Sequence, residues 1–258
     1  MGGAPRPSVM RPFQSLSRAL AVALLAHRAL GAQALPTPEA LAARHDSLTG
    51  ARLVLEGHRS LRMVGAMQIE AVGIDAPLEI LKRRPNQYLM RATLGPMGEM
   101  LTGYDGANAW AVQPGAGATL ITGDAARPIA EQADYFGDLH RYERFSSTET
   151  LPETDFEGKR VHPVRLVRAG TDTLYEFFEV ATGLSVGGRA SMTTPMGRME
   201  TTSLVGEYRD FGGLKVATRI EQRLPQYSLV IRIREVEFDT VDEAAVAPPE
   251  SVRALIKP

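Results

Sequence analysis

The 258-residue sequence contains no cysteine. That excludes disulfides, a thiolate nucleophile and Cys-ligated zinc, and it leaves no acceptor for an N-terminal lipid anchor. An excess of one charge is missing as well. Lys and Arg number 29 against 30 Asp and Glu, for a net charge of −1, so the chain has no basic field for nucleic acid. Histidine is sparse. Beyond residue 34 there are His45, His58, His140 and His162, with no H-E-x-x-H or H-x-H pair, so neither a metal site nor a cofactor is expected. The 24 glycines keep no three-residue period, which excludes a collagen-like chain. Beyond the first 34 residues no apolar run approaches the ~18 residues of a membrane-spanning helix.

What is present is an ordinary globular balance, 44% apolar and 23% charged. Residues 1–34 read as a secretory signal. Arg6, Arg11 and Arg18 supply a basic start, and an apolar stretch runs from Ala19 to Ala26. Ala32-Gln33-Ala34 has the form of a cleavage site. An N-terminal amphipathic helix is the rival reading. Cleavage after Ala34 removes four arginines and no acids, so net charge goes from −1 to −5. Residues 35–258 are then expected to form one exported, soluble domain, since all-β domains reach ~200–250 residues undivided.

Thr37-Pro38-Glu39 predicts a helix start: a hydroxyl cap, Pro in the first turn and an acid at the positive end. Leu41, Ala42, His45 and Leu48 make one helical stripe, and Gly50 ends it. From there the period drops to two. Leu61, Met63, Met67 and Ile69 alternate with polar residues, as do Tyr88, Met90, Ala92 and Leu94. Leu229, Ile231 and Ile233 do the same before the phase slips to Val236 and Phe238, which predicts a bulge near Glu235. Further strands are expected over 78–83, 99–104, 109–112, 161–168, 174–180, 198–205 and 216–224. Asp105-Gly106, Thr182-Gly183, Met196-Gly197 and Gly212-Gly213 supply turns between them. Such short connections leave no room for crossover helices, so the sheet is antiparallel. One interruption, 124–139, shows helical spacing of Ala126, Ile129, Ala130, Ala133 and Phe136, with Asp124 able to cap it. The expected fold is mainly β: a single strongly curved antiparallel sheet, an unclosed half-barrel, with two short helices.

Catalytic patterns are few. Gly183-Leu184-Ser185-Val186-Gly187 matches G-x-S-x-G, but a nucleophile elbow needs a helix after the serine, and a strand-like, Pro-terminated run follows. Ser185 is therefore the residue of a minor hydrolase alternative. Glu176 and Glu179 are three apart, so on a strand they face opposite ways and do not form a carboxylate pair. His45 reads as a packed or solvated helix residue.

Four segments carry a family resemblance in their order. Lys82-Arg83-Arg84-Pro85-Asn86-Gln87-Tyr88 comes first, then Leu101-Thr102-Gly103-Tyr104-Asp105-Gly106-Ala107-Asn108-Ala109-Trp110 with Pro114 following. The helical stretch 124–139 is third. Phe238, followed after a spacer by Val246-Ala247-Pro248-Pro249-Glu250-Ser251-Val252, is last. With the N-terminal signal and helix, this order resembles the periplasmic outer-membrane lipoprotein carrier and the wider lipoprotein-sorting family. The resemblance implies an unclosed half-barrel roofed by helices, whose cavity holds acyl chains, and it implies a binding protein rather than an enzyme. It implies that Arg84, directly before Pro85-Asn86, latches a helical lid. A guanidinium suits that task, because its five donors can tie up carbonyls left free at helix ends.

The strand pattern and the resemblance together place Leu61, Met63, Tyr88, Met90 and Leu94 at the acyl cavity. Trp110, Ile129 and Phe136 are expected there too. Eight methionines beyond residue 34 suit a pocket for variable chains. The implied partners are lipoprotein acyl chains or lipid, with an inner-membrane donor and an outer-membrane acceptor. The expected state is a monomer in the periplasm. An envelope sensing module on the same fold is the alternative role.

Overall fold

The computed structural model describes residues 34–168, 173–194 and 197–256. The expected signal, 1–34, lies outside the described residues apart from Ala34. Helix α1 (Pro38–Thr49) starts and stops as its sequence dictates. Thr37 Oγ1 accepts the Ala40 N–H at 3.2 Å, Pro38 occupies the first turn, and Gly50 ends the helix in the left-handed region at φ 70. Only glycine serves at position 50. A Cβ there would run into the Gly213 carbonyl as well as straining the backbone. The chain then resumes helix as α2 (Ala51–Gly57), which the sequence reading did not anticipate.

Among the described residues, fourteen strands follow in one antiparallel sheet. They are β1 (Ser60–Ile69), β2 (Ile74–Arg83), β3 (Gln87–Thr93), β4 (Glu99–Tyr104), β5 (Ala109–Gln113), β6 (Gly117–Ile121) and β7 (Ser147–Thr150). Then come β8 (Thr154–Phe156), β9 (Lys159–Val167), β10 (Thr173–Glu179), β11 (Ser185–Thr194), β12 (Gly197–Phe211), β13 (Leu214–Arg223) and β14 (Ser228–Phe238). The spatial order is β6-β5-β4-β3-β2-β1-β14-β13-β12-β11-β10-β9-β7, with β8 also on β9. The two ends, β6 and β7, do not pair, so the sheet is not closed into a barrel.

The two-helix expectation is corrected to four short α-helices among the described residues. The stretch 124–139 is not one helix. A short 3-10 turn leads into α3 (Arg127–Ala133), and Asp134 leaves the helix with ψ 114. Two bonds explain the break. The Tyr135 N–H donates to the Pro85 carbonyl at 3.2 Å, and the Asp134 carboxylate accepts the Phe136 N–H at 3.0 Å. The fourth helix, α4 (Glu250–Ile256), packs on β5 and β6 at the sheet edge. The bulge falls where the pattern slips. Val64 pairs Glu235 and Gly65 pairs Ile233, leaving Arg234 extra.

Directly paired residues of antiparallel strands share a face. Leu61, Lys82 and Tyr88 form one row, and Met63, Ile80 and Met90 the next. Across the sheet, Val164, Glu176, Gly188 and Ser203 form another row of the same inner face. Helix α2 covers this face at Leu61, Met63, Leu214 and Val216, while Leu41 of α1 covers it at Val164, Leu166 and Phe178. The opposite face carries Leu81, Leu89 and Trp110 beneath Val246 and Val252.

Candidate functional site

Two adjoining cavities lie between the inner face and its helical cover. One, of about 600 Å³, runs beneath α3 and the following residues, from Tyr88 and Ile80 to Leu166 and Leu174. The other, of about 460 Å³, lies beneath α1 and α2, between Leu61, Leu55, Leu214 and Val216. The first cavity takes in residues of both β3 and β10, which are seven strand steps apart in the sheet. A flat sheet would hold such strands roughly 33 Å apart at ~4.8 Å per step. A space of this size touches both because the sheet curls around it.

Arg84 stands where the pieces of cover meet. Its Nη2 donates to the carbonyls of Leu55 at 2.6 Å and Glu56 at 2.9 Å, in the last turn of α2. The Leu55 carbonyl also accepts the His58 N–H of the helix cap at 3.4 Å, and Arg84 adds its bonds to this helix end. The guanidinium carbon also lies 4.5 Å from the centroid of the Phe136 ring and 5.3 Å from that of Tyr135. Arg83 points elsewhere. It donates to Gln87 Oε1 at 2.9 Å and approaches Glu243 at 4.0 Å.

The expected cavity residues divide into groups. Leu61, Met63 and Tyr88 line the cavities. Met90 and Leu94 pack in a filled cluster with Met67, Leu78 and Ala92, and they line neither. The placement of Trp110 is corrected. It is fully buried on the opposite face, with its ring over Gly103, because the β4–β5 register pairs it with that glycine. Ile129 sits half-buried on α3, whose cavity side is formed by Pro128, Glu131 and Gln132. Phe136 packs against the cluster of Leu61 and Tyr135 and against Arg84 rather than facing either space.

The sequence reading missed a charged group on the shared wall of the two cavities. Arg141 donates through Nη2 to Asp46 Oδ1 at 2.6 Å and through Nη1 to Glu176 Oε1 at 3.0 Å. It thereby joins the covering segment, α1 and β10. The Tyr142 hydroxyl donates to Glu176 Oε2 at 3.1 Å. The side chains of Arg141, Asp46 and Glu176 are only 13%, 11% and 20% exposed, so these ion pairs are largely removed from water. Burial raises Glu176 above the usual carboxylate range despite Arg141, and burial raises Asp46 too. Arg141 stays protonated, since the carboxylates around it outweigh its own burial. His45 completes the cluster. Its Nδ1 accepts the Ser185 N–H at 3.1 Å, and burial together with Arg141 lowers it to about 4.

Lys82 and Asp138 face both cavities. Among the described residues neither side chain has a hydrogen-bond or ion-pair partner. Asp138 is exposed to the cavity space. Burial pushes its carboxyl up, but Lys82, Arg141 and Arg144 together hold it below the usual range. The strand alternation carried the signal for this group. Glu176 falls in phase with Leu174 and Phe178, and Lys82 with Leu78 and Ile80, so both are charges on an apolar face.

Ser185 begins β11, which runs on as a strand to Thr194 in an antiparallel sheet, so the strand–turn–helix of a nucleophile elbow is not formed. Its contact with His45 is made by its backbone N–H.

No family model matches the chain, and no curated protein matches its sequence. Solved structures do match its fold. A DUF1329 family protein from Desulfovibrio piger aligns at a TM-score of 0.56 and 12% identity, covering 80% of this chain and 97% of the other. A LolA superfamily protein from Nitrosomonas europaea aligns at 0.56 and 13% identity, covering 83% and 99%. A putative outer membrane lipoprotein-sorting protein domain from Vibrio parahaemolyticus aligns at 0.54 and 13% identity, covering 79% and 96%. At these identities the likeness is one of fold. The unclosed antiparallel sheet implied by the sequence resemblance is the fold this chain shares with them.

Proposed function

We propose that this chain is a periplasmic binding protein that shelters the acyl chains of lipoproteins or lipids and hands them on towards the outer membrane. The observation that carries the reading is the pair of cavities between a curled sheet and a helical cover. Their walls combine aliphatic and aromatic side chains and Met63 with a substantial set of charges, among them Lys82, Asp138, Arg141 and Glu176. A buried acyl chain gains ~0.8 kcal/mol per methylene removed from water. A carrier must supply that shelter and also give it up, so a cover held by a few polar bonds suits the task.

In this reading Arg84 is the latch. It ties α2 through two carbonyls and rests against Phe136 of the second covering piece, so its release frees both. Leu61, Met63 and Tyr88 contact the cargo. The protein binds and releases without covalent chemistry, as a monomer, between an inner-membrane donor and an outer-membrane acceptor. Mass spectrometry of lipid copurified from the native host tests this. Acyl lipid or lipoprotein in stoichiometric amount is expected, and a protein that carries none and binds no fatty-acid probe when folded overturns the reading.

A further inference from the structure

The two cavities meet at one charged cluster, and nothing in the carrier reading explains why charges stand there. Arg141, Glu176, Asp138 and Lys82 line both spaces. Of these two cavities Asp46 lines the one under α1 and α2 and Tyr142 the one under α3, and both, with Arg141, also line a smaller third cavity between α1 and the segment after α3. The cluster is therefore the partition between the two. We infer that Asp46, Arg141 and Glu176 form an internal gate that divides the acyl site into two chambers and sets the length of chain it accepts. This rests on the acyl-binding reading and adds a specificity determinant to it.

Three features support a gate. First, the partition is made by side chains alone. The guanidinium reaches from its covering segment to Asp46 on α1 and Glu176 on β10. A change of Arg141 rotamer would open the passage without moving a strand. Second, the floor is already clear. Gly188 stands between Glu176 and Ser203 in the inner row, and both Gly187 and Gly188 line the first cavity without a side chain. Met63 and Val205 line both chambers, so an apolar track passes beneath the gate. Third, Glu176 is not stranded when Arg141 swings away. The Tyr142 hydroxyl stays on Glu176, and Lys82 faces the same space with its ammonium unpaired among the described residues. A short chain fills one chamber with the gate shut, whereas a longer one must break the ion pairs to enter the second.

The experiment is a competition series. Saturated fatty acids from eight to eighteen carbons displace a fluorescent fatty acid from the mature protein. Each added methylene should tighten binding by about fourfold while it enters apolar space. In the wild type the gain should stop at the chain length that fills one chamber. In Arg141→Met/Glu176→Gln the gain should continue, so the longest chains bind at least tenfold more tightly than to the wild type. Glu176→Gln alone removes the charge but keeps one acceptor oxygen for Arg141, with its amide nitrogen donating to the Tyr142 hydroxyl, and it should extend the limit by a smaller amount. It decides the question if the double variant does not fold. A limit at the same length in the folded variants, or no limit in the wild type, overturns the gate and leaves the acyl-binding reading standing. A folded wild type that binds no fatty acid overturns that reading, and the gate with it.

Discussion

Arg84 Nη2 lies 2.6 Å from the carbonyl oxygen of Leu55, at the end of α2, while its guanidinium carbon lies 4.5 Å from the centroid of the Phe136 ring. One side chain thus touches two separate pieces of the cover, and Arg83 beside it touches neither. Arg84→Leu should raise hydrogen exchange at the amides of α2, with a loss of about 1.5–3 kcal/mol for hydrogen bonds from a charged donor. Arg83→Leu should leave those amides protected. Equal exchange in the two variants would rule out the latch.

Met63 and Met90 share the inner face but not its surroundings. Met63 lines both cavities, and Met90 sits in a filled cluster. Met63→Asp should weaken binding of a fatty-acid probe at least tenfold, or about 1.4 kcal/mol, since an unpaired carboxylate is costly in an apolar space. Met90→Asp should instead lower the melting temperature. Probe titrations beside thermal melts separate the two outcomes, and a Met63→Asp variant with wild-type affinity would place the ligand elsewhere.

His45 makes stability depend on pH. Its rings of contact are Phe178 and Tyr208, at centroid distances of 5.9 and 6.2 Å. Burial, aided by Arg141, lowers it from 6.5 to about 4 in the folded chain. The unfolded chain therefore takes up the proton first. This contribution is complete above pH 6.5 and is lost as pH falls to about 4, and it amounts to roughly 3 kcal/mol at 1.36 kcal/mol per unit. Asp46 and Glu176, both raised by burial, act in the opposite sense, so the informative quantity is the difference between variant and wild type. His45→Gln should melt at a temperature that falls less between pH 6.5 and 4. Parallel curves would mean that the imidazole takes up its proton in the folded chain at least as readily as in the unfolded chain.

Gly65 of β1 sits opposite the β14 bulge, where a Cβ would run into the Arg232 carbonyl across the ladder. Gly65→Ala should cost about 1–3 kcal/mol, the usual range for overpacking. Gly57, with open space around its Cβ position, is the control. Denaturant midpoints of the two alanine variants provide the comparison, and similar values would show that the bulge yields.

Export is tested at the chain terminus. N-terminal sequencing of protein from the periplasmic fraction should begin at Leu35. An intact leader in the membrane pellet would mean an anchored protein, which cannot shuttle between membranes.

Much of the sheet was legible because its signals are local. Glu99–Tyr104 is a strand at the expected bounds, and Asp105-Gly106 and Gly212-Gly213 turn the chain between strands. The phase slip at Glu235 gave the bulge, since one extra residue inverts every later side chain. Short strands with weak alternation, such as Gly117–Ile121 and Thr154–Phe156, escaped notice. They are held by pairing with their neighbours rather than by their own pattern. The expected helix over 124–139 failed for the same kind of reason. Its spacing is helical, but Tyr135 bonds to Pro85, some fifty residues away.

The sequence by itself determined the antiparallel class, the caps of the first helix, the face shared by Leu61 and Met63, and the donor chemistry of Arg84. These follow from periodicity and from functional groups, which act over a few residues. Tertiary structure alone decided what those parts meet. It put Trp110 on the far face by register, chose α2 as the helix Arg84 caps, and gathered Asp46, Arg141 and Glu176 from three distant segments onto one wall. The reason is physical. A strand's alternation says which side chains share a face, but only the curl of the whole sheet says which charges on that face come within hydrogen-bond reach.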